Sequence, residues 1–310
     1  MSRKPSLTMD DPFAGAWWAR WELPTLGVAC VIYTAWALLV IFSARLPWPV
    51  LAVLAAYVLA WHFSLQHEAI HGWKSLPLRW RTAVVWLPIG GWLPFELYKR
   101  AHTTHHNDPM LTYPGEDTET QYHRAADWAA YSSIWRGILL FNQTLIGRLT
   151  IGPLLRLRKQ VIIEWTLLKA GNRRNLPIWG RFGLGLAAVL LFVHEAGGMP
   201  VWKYYLVFVY PGMSLGMLRA FIEHRWGEDP AERIASVESN GLFGLLFLWN
   251  NLHIVHHLYP AMPWFAIPRF YRRNRRALLD HNGHYVFRGY GQIARQWLIK
   301  PVFVPIHPTR

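Results

Sequence analysis

The chain has 310 residues, a formal net charge of +14, a 53% hydrophobic composition with 19 Trp, and only 16% charged residues. That balance excludes a disordered chain, and the single cysteine, Cys30, excludes a disulfide framework, a CxxC redox pair and a cysteine-held iron–sulfur cluster. The cations flank apolar stretches, so lipid headgroups and an acidic protein partner are expected rather than nucleic acid.

The elements follow in chain order. An acidic stretch, Met9–Asp11, precedes an apolar run too long for the core of a cleavable signal peptide, so that run reads as a retained anchor. Four stretches, 25–43, 47–66, 181–199 and 201–222, approach the roughly 20 apolar residues that span a bilayer, and Trp and Tyr cluster near their ends. Their length and pairing favour membrane spans over buried helices of a soluble bundle. The expected fold is an all-α integral membrane protein with about four transmembrane helices, one domain over residues 1–310. Only Arg45 lies between the first two spans and only Lys203 beside the turn between the last two, whereas segment 67–181 holds fifteen Lys and Arg. The positive-inside rule then places both termini and the middle segment in the cytoplasm, for a protein of the bacterial inner membrane. Residues 82–98, with Gly90-Gly91 and two prolines, are expected to be interfacial or re-entrant. Residues 131–155, broken by Arg136 and Arg148, predict a helix lying on the anionic leaflet. Residues 241–249 are too short to span.

Three histidine clusters punctuate this plan: His67 and His71 in HEAIH, His102, His105 and His106 in HTTHH, and His253, His256 and His257 in HIVHH. Spacing of three or four residues puts each set on one helix face, and the charge argument puts all three on one side of the membrane. Eight imidazoles are too many for one tetrahedral zinc and about right for two metals with positions left open. His224, just past the fourth span, is a ninth candidate. Glu68, Asp108, Asp117, Glu119 and Glu223 are candidates to orient the ligands from behind. His62 is expected to be packed, His194 lies on the opposite face, and His123, His281, His284 and His307 are expected to be solvated.

In these residues the chain resembles the membrane fatty acid desaturase–hydroxylase superfamily, whose pattern is HxxxH, then HxxHH, then a third HxxHH box after intervening spans. HEAIH, HTTHH and HIVHH occur in that order, within the context NNLHIVHHLYPAMPWFAIPR, and His224 matches the extra histidine before the third box. The resemblance covers about residues 45–275. It implies a cytoplasmic helical cap holding a non-haem di-iron centre, with the nine histidines as ligands, zinc as a substitute in purified protein, and O2 as co-substrate. Such enzymes oxidise an unactivated C–H bond of a lipid. The expected activity is acyl desaturation, with hydroxylation or ketolation of a lipid, alkane or carotenoid as the alternative. The chain departs from a pattern seen in some members at Ala220, where an asparagine would stand one turn before the extra histidine.

From a different class, HEAIH also satisfies the HExxH signature of a zinc protease with Glu68 as general base, but that reading leaves both HxxHH boxes unused. A metal transporter would place its ligands near the membrane midplane. The chain has no GxGxxG, CxxC or HPGG motif, so electrons are expected from a separate ferredoxin or rubredoxin with its reductase. Arg269, Arg272, Arg273, Arg275 and Arg276 form its expected docking patch.

Overall fold

A computed structural model describes the chain except for residues 1–4, 6, 9–12, 14, 75, 240 and 310, so the acidic stretch Met9–Asp11 lies outside the described residues. The described chain is mostly helical. Its only sheet is a parallel pair, β1 (Ser236–Val237) with β2 (Val286–Phe287).

Helices α1 (Leu23–Ile41) and α2 (Trp48–His71) form a hairpin. Short helices α3 (Leu78–Val85) and α4 (Phe95–Asn107) follow, then α5 (Ser133–Phe141), α6 (Leu145–Thr150) and α7 (Gly152–Lys169). Helix α8 (Leu176–Gly197) returns through the bundle, and α1, α2 and α8 are long and apolar enough to cross a membrane. The fourth expected span, 201–222, is helical through Ala220 but changes pitch. Helix α9 (Val201–Tyr204) passes into a π-helical turn (Tyr205–Val209) and then α10 (Tyr210–Ala220). Pro211 explains the widened turn: it has no N–H for the carbonyl of Val207, four residues back.

Apolar faces at helical spacing and a close approach at one glycine hold the bundle together. Helix α1 buries Thr25, Val28, Ala29, Ile32, Trp36 and Val40 at helical spacing and exposes Val31, Leu38 and Ile41 outward. Helix α2 is central. A Cβ on Gly212 of α10 would sit 2.6 Å from the Leu59 Cβ of α2, so only glycine lets these helices close together.

The two short connections share one end of the bundle, where Ser43 Oγ donates to the Gly197 carbonyl at 3.3 Å. His71 ends α2 at the opposite end. Residues 82–98 do not form one continuous helix. After α3 the chain dips inward, where Gly90 packs on Phe63, and the Tyr204 and Tyr205 hydroxyls donate to Ile89 O at 2.5 Å and Gly91 O at 2.9 Å. It then returns as α4. The single surface helix expected over 131–155 is instead divided among α5, α6 and the start of α7. Ser132 and Thr144 cap new helix starts by accepting from Trp135 N (3.2 Å) and Gly147 N (3.0 Å), and Pro153 opens α7.

After α10 come α11 (Gly241–Leu246), held along α2 by Tyr57 Oη donating to Leu242 O at 3.0 Å, then α12 (His253–Leu258), α13 (Ile267–His281) and α14 (Tyr290–Trp297). The tail folds back, with His123 N donating to Pro305 O at 2.9 Å and His307 N to His123 O at 2.9 Å. His307, expected to be solvated, is therefore buried, with its ring 4.4 Å from that of Tyr113.

Candidate metal centre

Three helix ends meet on the His71 side of the bundle. Helix α2 delivers His67 and His71 from its last turn, α4 delivers His102, His105 and His106, and α12 delivers His253, His256 and His257. His224 enters just after α10 and is pinned to Ile234 by an isolated bridge. Unusual backbone flanks these segments. Trp73 follows the first cluster at φ 57°, and Leu248 and Trp249 precede the third at 46° and 57°. The Trp249 ring folds back onto Gly244, where a Cβ would come within 2.6 Å of it, and this aims the chain into α12.

The nine histidines sort into two groups, within each of which one donor atom per residue lies within 4.8 Å of all the others. His67, His71, His102, His106 and His256 form one, and His105, His224, His253 and His257 the other. HTTHH and HIVHH each contribute to both, because neighbouring helix positions point about 100° apart.

Proton bookkeeping tests whether these groups suit a metal. His105 Nδ1 faces Asp117 Oδ1 at 2.7 Å, His224 Nδ1 faces the Arg233 carbonyl at 3.3 Å, and His253 Nδ1 faces Asn250 Oδ1 at 3.2 Å. Each partner accepts a hydrogen bond from Nδ1, and at the neutral His224 and His253 rings this leaves a lone pair on Nε2. Yet His224 Nε2 lies 3.1 Å from both His105 Nε2 and His253 Nε2, and His257 Nε2 is 3.1 Å from His253 Nε2. Between His224 and His253 lone pair meets lone pair, an arrangement that suits a cation between them. Two donors at right angles about 2.1 Å from one ion stand about 3 Å apart, so the spacing fits. In the first group His106 Nε2 and His256 Nε2 are 2.8 Å apart. His102 Nδ1 is held by Glu119 Oε1 at 3.0 Å, and buried His102 Nε2 and His71 Nε2 have no hydrogen-bond partner.

Burial holds the His102, His106, His253, His256 and His257 imidazoles below the ordinary histidine range, and neighbouring imidazoles add to the effect. His224 is brought down to about 3 by burial and by His105. They stay neutral and available as ligands at pH 7. His105 differs: burial opposes its charge, but the Glu119 and Asp117 carboxylates outweigh it and push it up to about 9. A metal there must displace that proton.

Of the five candidate acids, Asp117 and Glu119 stand behind imidazoles as expected. Glu223 Oε1 lies 3.5 Å from His253 Nδ1 and 3.3 Å from Arg219 Nε. Asp108 and Glu68 sit elsewhere. Asp108 Oδ1 accepts from Met110 N at 2.9 Å in the turn after α4, and Glu68 Oε1 accepts from Trp264 N at 3.4 Å. Asn250 went unnoticed in the sequence. Its amide bridges two boxes, with Nδ2 3.2 Å from His67 Nε2 and Oδ1 facing His253. Its place three residues before the third box was the available signal. The five arginines of α13 all lie on its exposed face, and Arg275 is tied to Glu238 at 2.5 Å.

Comparison with known proteins gives the family. Residues 43–289, most of the chain and all three histidine boxes, match the fatty acid desaturase family. The chain belongs to the fatty acid desaturase family. A beta-carotene ketolase from Paracoccus sp. (strain PC1) is 26% identical over 294 residues, covering 89% of this chain and 99% of the relative. The chain is thus a membrane oxidoreductase of this family, and its histidine groups are suited to metal.

Proposed function

We propose that this protein is an O2-dependent lipid oxidase whose nine histidines hold two iron ions, and that its reaction is acyl desaturation. The observation that carries the reading is the convergence of nine imidazoles into two groups, with the Nε2 lone pairs of His224 and His253 facing one another. His67, His71, His102, His106 and His256 would hold one ion, and His105, His224, His253 and His257 the other. When bound, such a pair uses O2 and two external electrons to oxidise an unactivated C–H bond. The chain's own residues set that up. Asp117, Glu119 and Asn250 fix ring orientation and tautomer, and burial under α4 and α12 keeps bulk water off the reacting bond.

The topology belongs to the same proposal. The helical run Val201–Ala220 would serve as a fourth span, and the histidine end with both termini would face the cytoplasm of a bacterial inner membrane. The exposed arginines of α13 then offer an acidic ferredoxin or rubredoxin a docking face.

A specific observation supports a second reading. The ketolase relative aligns over nearly its whole length, so ketolation or hydroxylation is the alternative outcome at the same centre. The HExxH protease reading is disfavoured by Glu68, which hydrogen-bonds the Trp264 backbone instead of facing the histidine groups.

Lipids and carotenoids from cells expressing the wild type or His256→Ala under labelled O2, compared by mass spectrometry, test the proposal. Loss of two hydrogens without label means desaturation, and label in the product means oxygenation. A lipid profile identical between wild type and variant would refute the oxidase reading.

A further inference from the structure

The carboxylates that orient the histidines stand on the long connection between α4 and α5 rather than on a helix. Residues 108–124 of it form no helix at all. Asp117 Oδ1 and Glu119 Oε1 nonetheless meet His105 Nδ1 at 2.7 Å and His102 Nδ1 at 3.0 Å. Glu119 is tied to the helix that carries its partner, because Thr118 Oγ1 donates to Ala101 O of α4 at 2.7 Å. Asp117 has a less ordinary support. Its Oδ2 takes the N–H of Thr112, and Thr112 sits at φ 81°, a left-handed conformation that a β-branched residue rarely adopts. A residue stays in such a conformation only when its surroundings over-determine it.

Those surroundings come from the tail that follows α14. His123 and Ile306 pair as a parallel bridge. Next to it His307 is 1% exposed, with its ring 4.4 Å from that of Tyr113 and 5.5 Å from that of Tyr122. Its Nδ1 accepts the Thr309 N–H at 3.3 Å, so the ring proton is on Nε2, which faces Thr112 Oγ1 at 3.5 Å. Phe303 stacks on Tyr122 with 4.6 Å between centroids, and the Tyr122 hydroxyl accepts the N–H of Trp226, just past His224, at 2.8 Å. Both contacts of the tail lead to the same histidine group. Thr112 leads through Asp117 to His105, and Tyr122 leads through Trp226 to His224.

We propose that His307 is a positioning residue of the candidate metal centre, and that the tail bearing it and Phe303 sets how tightly His105, His224, His253 and His257 hold their ion. The proposal rests on the metal reading above. With the tail seated, Thr112 is kept in its left-handed turn, its N–H fixes Asp117, and Asp117 holds the His105 ring with Nε2 toward His224. Without the tail, Thr112 relaxes toward negative φ, its N–H turns away from Oδ2, and the His105 ring loses its fixed orientation. The group around His102 and His256 is spared, because Thr118 anchors Glu119 to α4 independently.

Fe(II) titrated into the purified whole chain in detergent, against a competing chelator, tests this. His307→Ala should weaken one of two ions by about two- to thirtyfold and leave the other at wild-type affinity. His307→Gln keeps an N–H donor and should recover most of the loss. Phe303→Leu loosens the other arm of the tail, should weaken the same ion, and carries the test if His307→Ala does not fold. The effect should run through Asp117. Added to Asp117→Asn, His307→Ala should weaken the ion by less than about a further twofold, because residues in one chain of contacts are not additive. Ile32→Ala, buried in α1, should lower thermal stability and leave both affinities unchanged, which separates positioning from a general loss of stability. Wild-type affinity at both ions in the tail variants, equal weakening of both ions, or full additivity with Asp117→Asn would overturn the proposal. A wild-type protein that binds no metal sinks the metal reading and this proposal with it, whereas two tightly held ions without lipid oxidation sink the oxidase reading and keep the role of the tail.

Discussion

Asp117→Asn is the sharpest test of the metal assignment, because this one side chain collects three buried donors. Oδ1 takes the His105 Nδ1 proton at 2.7 Å and the Glu119 N–H at 2.8 Å, and Oδ2 takes the Thr112 N–H at 2.9 Å. An amide has one accepting oxygen and presents two N–H donors. At least one buried donor must then lose its partner, at a cost of about 1–3 kcal/mol to stability. The larger effect falls on His105. With no carboxylate to hold Nδ1–H, its ring is no longer fixed with Nε2 beside His224. Loss of such supporting contacts lowers metal affinity by roughly 10–100-fold, or about 1.4–2.8 kcal/mol. Iron titration against a competing chelator should show one of two sites weakened by that factor, with the group around His102 and His256 unaffected. Thermal unfolding in detergent reports the stability cost separately. Asp108→Asn is the control, since Asp108 bonds only a turn N–H among its described contacts and should leave both affinities at the wild-type level. Wild-type affinity at both sites in Asp117→Asn would refute the grouping of ligands and the role given to the carboxylate.

Glu68→Gln should keep lipid oxidation within about tenfold of wild type, whereas loss of a general base costs 10²–10⁴-fold, so a collapse of activity would revive the HExxH reading. Reporters fused after Arg45 or Gly198 should read as outside and one after Asn175 as cytoplasmic, given fifteen cations in segment 67–181 against one in or beside either short connection. A cytoplasmic signal at Arg45 would reverse the orientation. Reversing Arg269, Arg272 and Arg273 to Glu should slow carrier-dependent turnover about tenfold or more at low ionic strength, and less at high salt, with metal content constant. Unchanged rates in a metallated variant would place the docking face elsewhere.

Much of the centre was legible in the chain because imidazole spacing is local. A helix puts residues three and four apart on one face, so HEAIH, HTTHH and HIVHH announced candidate ligands without any knowledge of the fold. The apolar runs were equally local, since backbone groups in lipid must bond within their own helix. Long-range geometry was not legible in the chain. Nothing in HTTHH says that His102 and His106 join one group and His105 the other, because that depends on where α12 and His224 come to lie. The five acids looked alike in sequence. Only packing set Asp117 and Glu119 behind imidazoles, turned Asp108 into a turn acceptor and sent Glu68 to the Trp264 backbone. Asn250 gained its role by touching His67 from 183 positions away. Spacing along a helix is decided by covalent geometry, whereas the partners of a side chain are decided by which helices the bundle brings together.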